Sequence, residues 1–266
     1  MTAPMTDPSL AHRLRVARRL AQEAGALALR LRPPPGAPAA TLKGAQDWVT
    51  EADLAVERFL SDALAQAFPD DGFQGEEGGR ARAGATRWVV DPIDGTSNYA
   101  RGGARWCVSL GLVAGRTPLL GVIAVPALDE VFDAVQGGGA RLNGTPIRAA
   151  ATTDLARAMV ECGWSPRIAT DAFLGLGGRM MAAGAALRFG GSGALALADV
   201  ACGRLDAYVE AHINLWDVAA ALAILAESGA TVSDFMAGAG PDSGAAIQAA
   251  APGVATQVAE ISGIAF

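Results

Sequence analysis

Trp88-Val89-Val90-Asp91-Pro92-Ile93-Asp94-Gly95-Thr96-Ser97-Asn98-Tyr99 decides how this chain is read. An apolar run ends abruptly in two carboxylates and a hydroxyl. That pattern predicts a buried strand running into a tight turn. Pro92 biases Asp91 toward extended backbone, and Gly95 permits a sharp bend and a close ligand approach. Two acids at such a strand end repel each other unless a cation lies between them, and hard divalent cations such as Mg²⁺ take oxygen ligands. The same residue types also make an ordinary polar turn. On Asp91 and Asp94 alone both readings stand.

Composition narrows the rest. At 266 residues, 51% of them hydrophobic, the chain has material for one large domain or two lobes. No window reaches the roughly 18 uninterrupted apolar residues of a membrane span. Met1 to Leu10 lacks the basic start and apolar stretch of a secretory signal, so the expectation is a soluble cytoplasmic protein with no membrane partner. A net charge of −6 argues against nucleic acid as the main partner. The local cluster Arg13, Arg15, Arg18 and Arg19 reads as a solvated helix face.

Cys107, Cys162 and Cys202 are isolated and form no disulfide framework. His12 and His212 are the only histidines, which argues against a His/Cys zinc site and against a Ser-His-Asp triad. Chemistry here falls to carboxylates, hydroxyls and backbone amides. Among 21 basic side chains Lys43 is the single lysine, and a compact ammonium suits phosphate as a point charge.

Residues 9–32 carry apolar positions at helical spacing, closed by Pro33-Pro34-Pro35-Gly36. Thr50-Glu51-Ala52-Asp53 resembles a capping box that opens a second helix through Phe68. Runs at 107–114, 119–125 and 130–136 predict an antiparallel meander, and Asn143-Gly144 a hairpin turn. Beyond about residue 150 short strands alternate with helices. The expected strands are 159–163, 187–190 and 206–210, and the expected helices begin at Asp171, Gly193 and Leu215. The expected organisation is therefore an N-terminal α+β lobe over residues 1–148 and a C-terminal α/β lobe over 149–266.

Four polar clusters stand out: Lys43…Asp47…Asp53, Gly75-Glu76-Glu77, Asp91 to Thr96, and Glu210…Trp216-Asp217. In order and spacing they resemble the inositol monophosphatase family of Mg²⁺-dependent, lithium-sensitive phosphatases, from about residue 10 to the end. Trp88 to Tyr99 is similar to one family signature and Trp216-Asp217-Val218-Ala219-Ala220 to the other. Tyr99 and Ala221 depart from the commonest family residues, and His212 to Leu215 lies in a stretch that varies among subfamilies.

The resemblance implies a mixed α/β fold, a layered αβαβα sandwich shared with fructose-1,6-bisphosphatases. It implies two to three Mg²⁺ ions held by Glu76, Asp91, the Ile93 carbonyl, Asp94 and Asp217. Thr96, with Glu76, would hold the attacking water, and Asp53 would bond the Thr96 hydroxyl. Gly95 and Thr96 amides would grip phosphate, with Lys43 nearby. Asp94, Gly191, Ser192, Gly193 and Glu210 would meet the alcohol. The implied substrate is a small phosphorylated alcohol: inositol monophosphate first, then histidinol phosphate or a 3′(2′),5′-bisphosphate nucleotide. A homodimer is expected.

Overall fold

A computed structural model describes residues 8–34, 41–44, 47–78, 81–238 and 240–266. The helices are α1 (Pro8–Leu31), α2 (Glu51–Ala67), α3 (Thr96–Ala100), α4 (Thr170–Ala182), α5 (Gly193–Ala201), α6 (Leu215–Ser228), α7 (Gly240–Ser243) and α8 (Ala255–Ser262). The strands through the first half are β1 (Thr41–Gly44), β2 (Asp47–Val49), β3 (Gly72–Gly75), β4 (Thr86–Asp94), β5 (Cys107–Ala114), β6 (Thr117–Val125), β7 (Glu130–Val135), β8 (Ala140–Leu142) and β9 (Thr145–Pro146). Later come β10 (Met159–Cys162), β11 (Ala186–Arg188), β12 (Ala207–Ile213), β13 (Thr231–Val232) and β14 (Ala245–Ala250).

Strands β3 to β9 form a seven-stranded sheet in sequence order, antiparallel except where β3 runs parallel to β4. A second sheet has the order β11-β10-β12-β14-β13, with β10 parallel to both its neighbours. Alternation along the central strands sends side chains to two cores. Trp88 and Val90 of β4 join Leu110, Leu112, Leu120 and Val122 beneath α1 and α2. Val89, Ile123 and Val125 face the opposite way, onto α5 and α6. Those two helices lie between the sheets and are apolar around most of their circumference, as a helix buried on all sides must be. A third core joins α4 and α8 to the far face of the second sheet. The layers therefore read αβαβα.

One contact sets the height of α6. Gly111 and Gly121 face each other on β5 and β6. A Cβ on Gly111 would lie 2.7 Å from the backbone carbon of Ala219, and one on Gly121 would collide with the Ala220 carbonyl oxygen. Paired glycines thus form a notch into which the helix backbone settles, carrying its first turn to the end of β4. Gly121→Ala is expected to cost about 1–3 kcal/mol by overpacking. That should appear as a melting-temperature loss of about 2–12 °C. An unchanged melt would show that the notch does not hold α6.

The meander, both N-terminal helices and the Asn143-Gly144 turn follow the sequence reading. Asn143 and Gly144 both take positive φ, 49° and 81°, as a two-residue hairpin of this type requires. The capping box forms: Thr50 Oγ1 accepts from the Ala52 and Asp53 amides, and Asp53 Oδ2 accepts from the Thr50 amide at 2.8 Å. Boundaries shift elsewhere. The 206–210 strand runs on to Ile213, and the 187–190 strand is Ala186–Arg188. Gly72–Gly75 pairs as an edge strand beside β4. No described helix is long and apolar enough to cross a membrane.

Candidate active site

Asp91 and Asp94 sit at odd spacing on one strand, so regular pleating would point them to opposite faces. The ladder breaks between them. Asp91 pairs with Ser109 and Asp94 with Cys107, so three steps on β4 oppose two on β5. Pro92, which has no amide proton, makes that irregularity natural and brings both acids to one side. Asp217 arrives from the first turn of α6, where Asn214 and Asp217 form a second capping box and the Asn214 amide donates to Asp217 Oδ2 at 2.9 Å.

One carboxylate oxygen from each of Asp91, Asp94 and Asp217 lies within 4.8 Å of the others. Burial pushes all three acids up; repulsion adds to it for Asp91 and Asp217, while hydrogen bonds from Ser192 and the start of α5 oppose it for Asp94. Asp91 is raised well above its usual range by burial, then by the charges of Glu76, Asp94 and Asp217. Asp217 rises to about 7. Asp91 and Asp217 are hydrogen-bonded to one another, which requires a proton between them whenever no cation is there. Asp94 Oδ2 accepts from Ser192 Oγ at 2.5 Å and the Ala194 amide at 2.8 Å, fixing it against the start of α5.

The donor set suits a hard cation. Asp91, Asp94 and Asp217 offer only oxygen. The soft group beside Asp94, Cys107, has its thiol 3.7 Å from Asp94 Oδ2 and is pushed up by burial, so it stays protonated. Glu76 stands outside the tightest trio, yet near enough for its charge to raise Asp91. Its amide donates to the Val90 carbonyl, and the next amide, of Glu77, donates to the buried Glu57 at 2.8 Å.

Thr96 opens α3, after Gly95 at φ 88°. A Cβ at Gly95 would lie 2.8 Å from the Arg105 carbonyl, so the backbone turn excludes any side chain. The Thr96 hydroxyl lies 2.9 Å from the Ile93 carbonyl and 3.2 Å from Asp53 Oδ1. Asp53 thus serves two ends at once, its other oxygen being held by Thr50.

Above these groups opens a cleft of about 680 Å³. Its walls include Glu76, Asp94, Thr96, Gly191, Ser192, Gly193, Glu210 and Asp217. Glu210 is buried and accepts a short hydrogen bond from the Tyr208 hydroxyl. Burial raises it to about 8, against the Tyr208 bond and helped by Asp217. The Gly190-Gly191 turn is tied down by Asn98, whose amide group donates to the Arg105 and Gly190 carbonyls at 2.7 and 2.8 Å.

The structure therefore brings together Asp53, Glu76, Asp91, Ile93, Asp94, Gly95, Thr96, Gly191, Ser192, Gly193, Glu210 and Asp217. The Lys43 side chain lies outside the described residues. Ser192 turns its hydroxyl to Asp94. Trp216, half-buried at the start of α6, packs against the core between the sheets and also lines the cleft. Sequence reading missed Asn98, Glu57, Tyr208 and the Asn214 cap. Of these only Asn214, three residues before Asp217, carries a local signal.

A carboxylate trio at a sheet end, beside a threonine turn and below an acid-lined cleft, offers a set of oxygen ligands facing room for a small molecule. Residues 9–262 match the model of the inositol monophosphatase family, and the chain belongs to that family. It is 43% identical to Nus factor SuhB of Xylella fastidiosa over 195 residues, 73% of this chain and 71% of that one. It is 41% identical to inositol monophosphatase 2 of Solanum lycopersicum over 202 residues, 72% of this chain and 76% of that one. Among solved structures, the extragenic suppressor protein suhB of Bartonella henselae superimposes with a TM-score of 0.87 at 28% identity, covering 94% of this chain and 98% of that one.

Proposed function

We propose that this protein hydrolyses a small phosphate monoester with Mg²⁺, two to three ions, and that inositol monophosphate is its reference substrate. The observation that carries the reading is the convergence of Asp91, Asp94 and Asp217 oxygens within 4.8 Å, across more than a hundred residues of chain. Glu76, Asp91, the Ile93 carbonyl, Asp94 and Asp217 are the proposed ligands. Bound there, the cations supply charge neutralisation for phosphate oxygens and activation of water.

The remaining work belongs to the chain. Thr96 donates its hydroxyl hydrogen bond to Asp53, which leaves the hydroxyl oxygen free to accept from the attacking water. The cap at Thr50 fixes Asp53 for that task. Glu76 takes the water's second hydrogen bond and accepts the proton as attack proceeds. Gly95 and Thr96 amides orient the phosphate, with Lys43 as a proposed nearby charge. Gly191, Ser192, Gly193 and Glu210 receive the alcohol. Residues 1–148 and 149–266 are the proposed lobes, which meet at this cleft, in a protein proposed to be cytoplasmic. A homodimer is part of the reading, and exposed Leu174 and Met181, on α4, offer it an apolar face that sedimentation can test.

Phosphate release from inositol 1-phosphate should require Mg²⁺, vanish with EDTA and be inhibited by millimolar Li⁺. Histidinol phosphate and adenosine 3′,5′-bisphosphate complete the panel. Two relatives bear the name Nus factor SuhB, so a non-catalytic regulatory role is the second reading. The intact acid set and the Thr96–Asp53 pair argue for turnover. Metal binding without release of phosphate from any ester would favour the regulatory role.

A further inference from the structure

Gly190, Gly191, Ser192 and Gly193 form a backbone with little conformational preference of its own, so its shape must come from neighbours. Two brackets hold it. On one side Glu161 accepts the Gly190 amide at 3.0 Å. Arg105 keeps that acid in place, with one guanidinium nitrogen 3.1 Å from Glu161 and the other 3.0 Å from Asp199 on α5. On the other side the Asn98 carboxamide donates to the Arg105 and Gly190 carbonyls and reaches the Gly191 carbonyl at 3.4 Å. Both glycines are needed for the fit. A Cβ on Gly190 would lie 2.5 Å from Arg105 Nε and from Glu161 Oε1, and one on Gly191 would lie 3.2 Å from Asn98 Nδ2.

The position of Asn98 gives this tie its consequence. It lies on α3, the helix that Thr96 opens. A Cβ at Gly95 would lie 3.1 Å from the Gly191 carbonyl oxygen and from Ser192 Cβ, so the two turns touch. Asn98 therefore fastens the turn proposed to grip phosphate to the turn proposed to receive the alcohol. The acid floor has other supports. Asp94 is paired with Cys107 across the sheet and accepts the Ala194 amide within α5. The end of α3 is held through the backbone, where the Gly103 amide donates to the Asn98 carbonyl at 2.8 Å. We propose that Asn98 is a positioning residue for the alcohol: its carboxamide sets the Gly190-Gly191 turn against α3, and its loss weakens recognition of the alcohol while the phosphate floor stays intact. This inference rests on the phosphatase reading above and adds to it a residue that touches neither phosphate nor metal.

The test uses the ester of the panel above that the unmodified protein cleaves best, with Mg²⁺. Asn98→Asp keeps the shape of the side chain and removes its donor, turning an acceptor toward three carbonyl oxygens. It should lower kcat/KM by about tenfold, through KM more than through kcat, the scale of a buried hydrogen bond lost. Inorganic phosphate, competing for the floor, should inhibit the variant with a Ki within about twofold of that for the unmodified protein. Asn98→Ala removes the donor without adding charge; it should show the same split with a smaller loss, and it carries the test if the aspartate variant fails to fold. A phosphate Ki that weakens by the same factor as kcat/KM overturns the inference, because Asn98 would then support the whole site. An unchanged kcat/KM in the folded variants overturns it as well. No release from any panel ester overturns the phosphatase reading and this inference with it, and that result appears in the unmodified protein, before any variant is made.

Discussion

Asp94→Asn is expected to lower turnover by three orders of magnitude or more while the protein stays folded. The carboxylate faces Asp91 and Asp217 and forms part of the proposed cation site. Removing one charge from such a site weakens cation binding and the stabilisation of developing negative charge, an effect of about 4 kcal/mol or more. The fold should survive for a specific reason. Asp94 Oδ2 serves as acceptor for Ser192 Oγ and the Ala194 amide, and the carboxamide oxygen of asparagine can accept both. Without metal, the variant should melt at or above the unmodified protein at pH 8, because one repelling charge has gone. Phosphate release and melting temperature, measured on one preparation, check both halves. Near-normal release would remove Asp94 from the chemistry.

The second large effect is an inverted pH dependence of stability without metal. In the folded chain Asp217 titrates at about 7 and Glu210 at about 8, both raised mainly by burial, and Asp91 and Asp94 are also raised. Unfolded, these acids titrate near 4. Between those limits the folded state binds more protons than the unfolded one, so stability falls as pH rises. The stabilisation is complete below about pH 4 and is lost through pH 7 to 8. At the acid end Asp71 acts in the opposite sense. Burial there is outweighed by hydrogen bonds from Arg13, Thr86 and Trp88, which hold it low. The metal-free protein should therefore be most stable near pH 5. By pH 8 it should lose about 2–4 kcal/mol, or about 5–15 °C of melting temperature. Mg²⁺ should restore most of that loss at pH 8 and little at pH 5, where protons already occupy the site. A metal-free melt that rises from pH 5 to pH 8 would contradict the electrostatics described here.

Local signals carried much of this molecule, and their limits are physical. Thr50-Glu51-Ala52-Asp53 announced its cap because a capping box is closed within four residues. The strand before Asp91 was legible for the same reason: Val89 and Val90 bury on opposite faces and Pro92 ends the regular ladder. Glu57 could not be read. Its role is to accept an amide proton from Glu77, 20 positions away on another element. Asn98 likewise reaches Gly190 across 92 positions. Gly111 and Gly121 read as weak points of two strands until the backbone of α6 is seen resting on them. Glu210 was legible as an acid, but the burial that raises it belongs to the folded chain.

The central claim is that Asp91, Asp94 and Asp217 share divalent cations. Anomalous diffraction from a crystal grown with Mn²⁺ in place of Mg²⁺ tests it most directly. The expected result is strong peaks about 2.0–2.3 Å from oxygens of these three residues, absent from crystals of Asp94→Asn. Fully occupied Mn²⁺ elsewhere, with no peak between the three carboxylates, would contradict it.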